Sequence, residues 1–143
     1  MLICNMCSKG QAGYGSKIDL KHGLSTIYRR IKKNCCREWA TNPQAFYQWY
    51  EDQYFQQDGN CAYCYLPGDT TENYGKWFRE GRRGKRLEVD RIESKEPYSP
   101  GNCVLACYPC NNAKSDVFSY QEFIEIGQTI HEVKVRTREM VQQ

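Results

Sequence analysis

Apolar residues recur at helical spacing three times along the chain. Leu24, Ile27, Tyr28, Ile31 and Cys35 share one face of a stretch from Leu24 to Trp39, with basic residues on the others, which predicts an amphipathic helix. Thr41-Asn42-Pro43 stops it and starts another: Asn42 suits the cap and Pro43 the first helical turn. This second helix carries Phe46, Tyr47, Trp49, Tyr50 and Tyr54 to about Gln56, and its aromatics read as core rather than as a base-stacking platform. Upstream, Gly10, Gly13, Gly15 and Gly23 break periodicity, so residues 1–22 read as irregular. The last helix is the best signalled. Ser119 and Glu122 form a capping box, Phe118 and Phe123 occupy the staple positions, and Phe123, Ile126, Ile130 and Val133 line one face.

Between these helices the period changes. Asp58-Gly59-Asn60 is a turn, and residues 66–84 read as a glycine- and charge-rich insertion. Lys85 to Ile92 has strand character, Asn102 to Ala106 makes a second short strand, and the Gly/Pro loop between them predicts a hairpin. A helix starting near Asn111 follows. The expected class is α+β, in three regions: a helical extension over 1–57, a compact unit over 58–117, and a terminal helix over 118–143.

Composition narrows the picture. A chain of 143 residues is one domain with a modest core, and such folds usually need metal or disulfide staples. Nine cysteines could supply either. An odd count, in two Cys-x-x-Cys pairs and a looser third, favours thiolates on metal. The start lacks the pattern of a secretory signal and no apolar run approaches a membrane span, so the expectation is a soluble protein of the cytoplasm, without a membrane partner. Net charge is only +3, but its distribution is uneven. Lys76 to Arg91 holds seven basic residues against three acids, and Arg29, Arg30, Lys32, Lys33 and Arg37 cluster on the first helix. Either run alone could be a solvated face. Two runs flanking a metal-binding pattern point to a phosphate backbone, with Arg82, Arg83, Lys85, Arg86 and Lys114 as candidate contacts.

The chemistry concentrates between Cys61 and Asp116. Cys61-Ala62-Tyr63-Cys64 and Cys107-Tyr108-Pro109-Cys110 are hooks whose paired thiolates can share one tetrahedral zinc. The second hook opens a helix, whose N-terminal dipole favours thiolate. Four protein ligands close the coordination sphere, so this zinc is expected to be structural. Cys4 and Cys7 form a third pair without a partner pair. Cys35-Cys36 or His22 could complete a second zinc site, but Cys35 on an apolar helical face reads more readily as a buried free thiol than as a ligand.

Val89-Asp90-Arg91, the run from Pro100-Gly101-Asn102 to Cys107, and Cys110-Asn111-Asn112-Ala113-Lys114 together resemble the HNH endonuclease family. The resemblance covers about residues 58–117. It implies a ββα-metal core, a DNA substrate, and a catalytic Mg²⁺ or Mn²⁺ held by Asp90 and Asn111, with Asn102 bracing the loop. A carboxylate and an amide carbonyl suit such a hard cation and leave room for water and phosphate. Arg91 departs from the family's usual Asp-His. A guanidinium cannot accept a proton, but it can clamp a phosphate oxygen. Members that read Asp-Arg, restriction enzymes among them, are similar in placing a tyrosine before Ser-Pro-x-Asn, as in Tyr98-Ser99-Pro100-Gly101-Asn102. That likeness suggests Tyr98 as the proton acceptor and a homodimer that cuts both strands. His22 and Glu93 are the other candidates for the base, and His131 reads as a surface residue. The expected activity is hydrolysis of DNA phosphodiesters, in a bacterial or phage-infected cell. The alternatives are a zinc-stapled nucleic-acid-binding module whose catalytic site has decayed, and a protein-interaction domain.

Overall fold

The computed structural model describes residues 17–68 and 86–141, with side chains over 23–68 and 86–140. Cys4, Cys7, Arg82, Arg83 and Lys85 lie outside the described residues, as does the side chain of His22.

The first helix, α1 (Lys17–Ile31), begins before Leu24 and ends well short of Trp39. Gly23 is not a breaker. It lies inside α1, where a Cβ would sit 2.1 Å from Arg86 Cζ, so its lack of a side chain admits that guanidinium. The helix ends because tertiary hydrogen bonds outcompete local periodicity. After a 3₁₀ turn, Lys32–Asn34, the chain extends through Cys35 and Cys36. There Asn34 O accepts from Tyr98 N at 2.9 Å, and Cys36 N donates to Tyr98 O at 2.8 Å. Cys35 is therefore a half-buried residue of an extended link and not part of a helical apolar face.

Two further helices follow, α2 (Arg37–Thr41) and α3 (Pro43–Gln56). Asn42 caps α3 by accepting from Gln44 N at 3.2 Å. Trp39, Phe46 and Tyr50 are sealed inside, and Tyr28 donates its hydroxyl to Trp39 O at 2.7 Å. The Tyr50 hydroxyl donates to Leu87 O at 2.6 Å, which ties this aromatic core to the start of the hairpin.

The hairpin pairs β1 (Glu88–Arg91) antiparallel with β2 (Cys103–Ala106). Asp90 faces Val104 across the ladder and Arg91 faces Cys103. Both strands are shorter than the sequence suggests and almost wholly buried, so neither shows solvent-face alternation. The outer edge of β2 is closed by other groups. The Gln57 side-chain amide bonds both Leu105 O and Leu105 N, and Ala62 N donates to Leu105 O at 2.9 Å. These contacts occupy an edge that would otherwise template further pairing.

From β2 the chain passes through Cys107 directly into α4 (Tyr108–Lys114), three residues before Asn111, and α4 packs on β1. The terminal helix α5 (Tyr120–Val141) opens with both bonds of the capping box, Ser119 N to Glu122 Oε2 at 2.8 Å and Glu122 N to Ser119 Oγ at 3.2 Å. Phe118 and Phe123 staple it, with ring centroids 5.9 Å apart. It lies close against the first cysteine hook: a Cβ on Gly127 would meet Tyr63 O at 2.3 Å. His131 is correspondingly no surface residue. It is half-buried, with Nδ1 2.7 Å from Cys64 O. Among the described residues no helix is long and apolar enough to cross a membrane.

Candidate active site

The two hooks meet. The sulfurs of Cys61, Cys64, Cys107 and Cys110 all lie within 4.8 Å of one another, and all four residues are buried. Cys64 Sγ and Cys107 Sγ are 3.7 Å apart. A tetrahedral zinc with bonds of about 2.3 Å sets its sulfurs about 3.8 Å apart, so the donor set and its spacing fit that ion. Among the described residues this is the one cluster of metal-binding side chains of three or more. Hydrogen bonds with Cys107, Cys110 and Cys64 pull the Cys61 thiol far below its ordinary range, while those with Cys107, Cys61 and Cys64 push Cys110 far above it. Four thiols around one hollow cannot all ionise without a cation to offset the charge. Cys103 stands apart on β2, where burial pushes its thiol up to about 12.

At the end of the hairpin is a cavity of about 350 Å³, lined by Asp90, Arg91, Ser94, Tyr98, Asn111, Asn112, Ser115 and Asp116. Strand β1, the loop after it and helix α4 each contribute a wall. Asp90, Arg91, Tyr98 and Asn111 thus come together from positions up to 21 residues apart in the chain.

Asp90 is buried, and burial raises its pKa; the Tyr63 hydroxyl and the Lys114 ammonium counter that shift. Tyr63 Oη donates to Asp90 Oδ2, and Lys114 Nζ lies 3.2 Å from the same oxygen. Both of these side-chain partners engage Oδ2. Lys114 is the clear correction to the proposed DNA contacts. It is fully buried, and its ammonium also donates to Arg91 O at 2.9 Å, so it faces Asp90 rather than a duplex. Arg86 is likewise half-buried and packed against α1.

Asn111 donates from Nδ2 to Glu88 Oε2 at 2.9 Å. Asn102 holds the loop between the strands by four bonds. Its Oδ1 accepts from Glu93 N at 2.8 Å, and its Nδ2 donates to Glu93 O, Glu96 O and Pro97 O. Arg91 donates to Glu96 O at 3.2 Å, and its guanidinium sits 4.8 Å from the Tyr98 ring centroid. Burial raises the Tyr98 phenol above its ordinary value, and Arg91 partly opposes this. Glu93 is exposed and is not among the cavity-lining residues.

Beside Tyr98, the turn whose Asn34 carbonyl it bonds belongs to the basic cluster. Arg29, Arg30, Lys32, Lys33 and Arg37 are all exposed. A cationic surface therefore adjoins the cavity.

The sequence reading missed Tyr63, Glu88, Ser94, Ser115 and Asp116. Strand alternation offered a signal for Glu88, which lies two residues before Asp90 and so on the same face. Nothing local marks Tyr63, whose role depends on the knuckle folding onto β1.

Among solved structures the chain is similar to PacI, described as a rare-cutting HNH restriction endonuclease that perturbs DNA. The identity is 26%, the TM-score 0.56, and the match covers 93% of this chain and 95% of that one. The fold is that of an HNH endonuclease. No family model and no curated protein matches the chain. In the HNH unit found here, β1, β2 and α4 form the ββα element and the four-cysteine cluster can staple it with zinc.

Proposed function

We propose that the chain is a metal-dependent DNA endonuclease. The observation that carries this reading is the shared cavity: Asp90, Asn111, Arg91 and Tyr98 converge beside a four-thiol cluster, in a chain whose fold is similar to PacI. Residues 58–117 form the catalytic unit, and the basic face of α1 and the turn after it, within residues 1–57, engages duplex phosphates.

Asp90 and Asn111 offer oxygen donors suited to Mg²⁺ or Mn²⁺, and zinc belongs to the thiols. When bound, the divalent ion supplies positive charge to offset that of a phosphodiester. Arg91 keeps its charge at any accessible pH and clamps a phosphate oxygen, stabilising the charge that builds up on phosphorus. Its bond to Glu96 O and its seat on the Tyr98 ring fix the direction of the guanidinium. Tyr98, as phenolate, takes the proton of the attacking water. Because burial raises its pKa, that form grows with pH, and catalysis rises toward alkaline conditions. Two copies acting together would cut both strands.

Cleavage of plasmid in Mg²⁺ or Mn²⁺, abolished by Asp90→Ala and by Asn111→Ala with the fold intact, tests the reading. Parental rates in both variants contradict the site assignment. The raised Tyr98 pKa also favours a second reading, a binding module without a competent base. That module binds duplex with steep salt dependence and cuts it in no divalent metal.

A further inference from the structure

Glu88 is one of three buried charged side chains among the described residues, together with Asp90 and Lys114. Asp90 and Lys114 pair with each other, whereas Glu88 faces Asn111 and α1. Its Oε2 accepts from Asn111 Nδ2 at 2.9 Å, and its Oε1 lies 3.6 Å from Arg30 Nη1. Glu88 does not line the cavity, whereas Asn111 does. Its hydrogen bond to Asn111 links it to that cavity.

An asparagine amide has two faces of opposite character, and a metal ion requires the oxygen. A free asparagine turns between the two at little cost. A carboxylate accepts hydrogen bonds and donates none, so it selects the orientation that puts the NH₂ group against itself. The carbonyl oxygen is then directed away from Glu88. Arg30, on the far side, holds the other carboxylate oxygen, and its own α1 face is the basic surface beside the cavity.

We propose that Glu88 is a positioning residue that locks the Asn111 amide with its carbonyl oxygen presented for the divalent ion, and that Arg30 anchors it to the DNA-facing helix. The proposal rests on the endonuclease reading. Groups that orient a metal ligand from behind typically contribute about 10- to 100-fold in metal affinity.

The test is Mn²⁺ affinity of the zinc-loaded full chain, read from the free-ion paramagnetic resonance signal with and without a duplex. Glu88→Gln offers Asn111 a donor as well as an acceptor, so either amide orientation is satisfied. It is expected to weaken Mn²⁺ binding by about tenfold or more, with zinc content and thermal midpoint near those of the wild type. The swapped pair, Glu88→Gln with Asn111→Asp, reverses donor and acceptor and again presents an oxygen, so it is expected to bind Mn²⁺ more tightly than Glu88→Gln alone. Because a carboxylate at position 111 tightens Mn²⁺ by its charge alone, the rescue is read against Asn111→Asp by itself. Adding Glu88→Gln to that variant is expected to tighten Mn²⁺ further, whereas a purely structural role predicts no change or a loss. Wild-type affinity in Glu88→Gln, or no rescue in the pair, overturns the role of Glu88 while leaving the endonuclease reading in place. A wild-type chain that takes up no Mn²⁺ under either condition overturns both.

Discussion

Replacing Lys114 with methionine removes an ammonium from the interior while keeping most of the side chain's volume, so the consequence is electrostatic rather than a cavity. Lys114 Nζ is 3.2 Å from Asp90 Oδ2, and the two side chains are 1% and 8% exposed. At that distance and an effective dielectric constant of about 20, the attraction is about 5 kcal/mol. The bond to Arg91 O adds a charge-assisted contribution of about 1.5–3 kcal/mol. Desolvating the ammonium costs several kcal/mol and offsets much of this, so breaking one side of such a pair is expected to cost about 3–5 kcal/mol. In a chain of 143 residues that corresponds to a midpoint lowered by about 10–15 °C. The loss has a definite pH dependence. Without the ammonium, the Asp90 pKa rises further above its unfolded value near 4, so the folded variant binds more protons than the unfolded chain between those two values. Its deficit relative to the wild type is therefore full above the folded pKa and shrinks as pH falls through it. Urea unfolding of the zinc-loaded protein at pH 7.5 and pH 5 measures both effects, and adding Asp90→Asn should recover much of the loss. A variant within about 1 kcal/mol of the wild type at pH 7.5, or a deficit that grows on acidification, refutes the account of a buried pair.

Cys107→Ser should lose the zinc held by the four thiols and with it the cooperative thermal transition, read by metal analysis and circular dichroism; a folded variant without that zinc contradicts the staple. Tyr98→Phe should abolish the rise of cleavage rate with pH that a phenol of raised pKa imposes on the wild type, and a slope unchanged across pH 7–9 excludes Tyr98 as the base. Arg29→Gln with Lys33→Gln should weaken duplex binding and make the salt slope shallower by about 0.9 for each phosphate contact removed. An unchanged slope places the duplex elsewhere.

Local signals carried much of this fold, and the exceptions share one cause. The α5 cap and staple and the Asn42 cap of α3 each join residues a few positions apart, and the structure shows each of these contacts; each cysteine hook is as local, although the meeting of the two hooks is not. The end of α1 was misjudged because the bonds that stop it come from Tyr98, more than sixty residues onward. His131 looked like a surface residue because its partner is a carbonyl in the first knuckle. The candidate site divides in the same way. Asp90 and Asn111 could be named from the pattern around them, whereas the groups that hold them, Tyr63, Lys114 and Glu88, are set by packing between elements. Lys114 shows how far this goes: read as one more cation in a basic protein, it is the counter-charge of the buried aspartate.

The central claim is that the Asp90–Asn111 cavity cuts DNA with a divalent ion while zinc only holds it together. Its most direct test is a time course of supercoiled plasmid with the zinc-loaded chain, with Mn²⁺ added and with Mn²⁺ withheld. The account predicts nicked or linear product only with Mn²⁺, at unchanged zinc content, and none from Asn111→Ala. Intact plasmid after full Mn²⁺ loading, or equal cutting by Asn111→Ala, contradicts it.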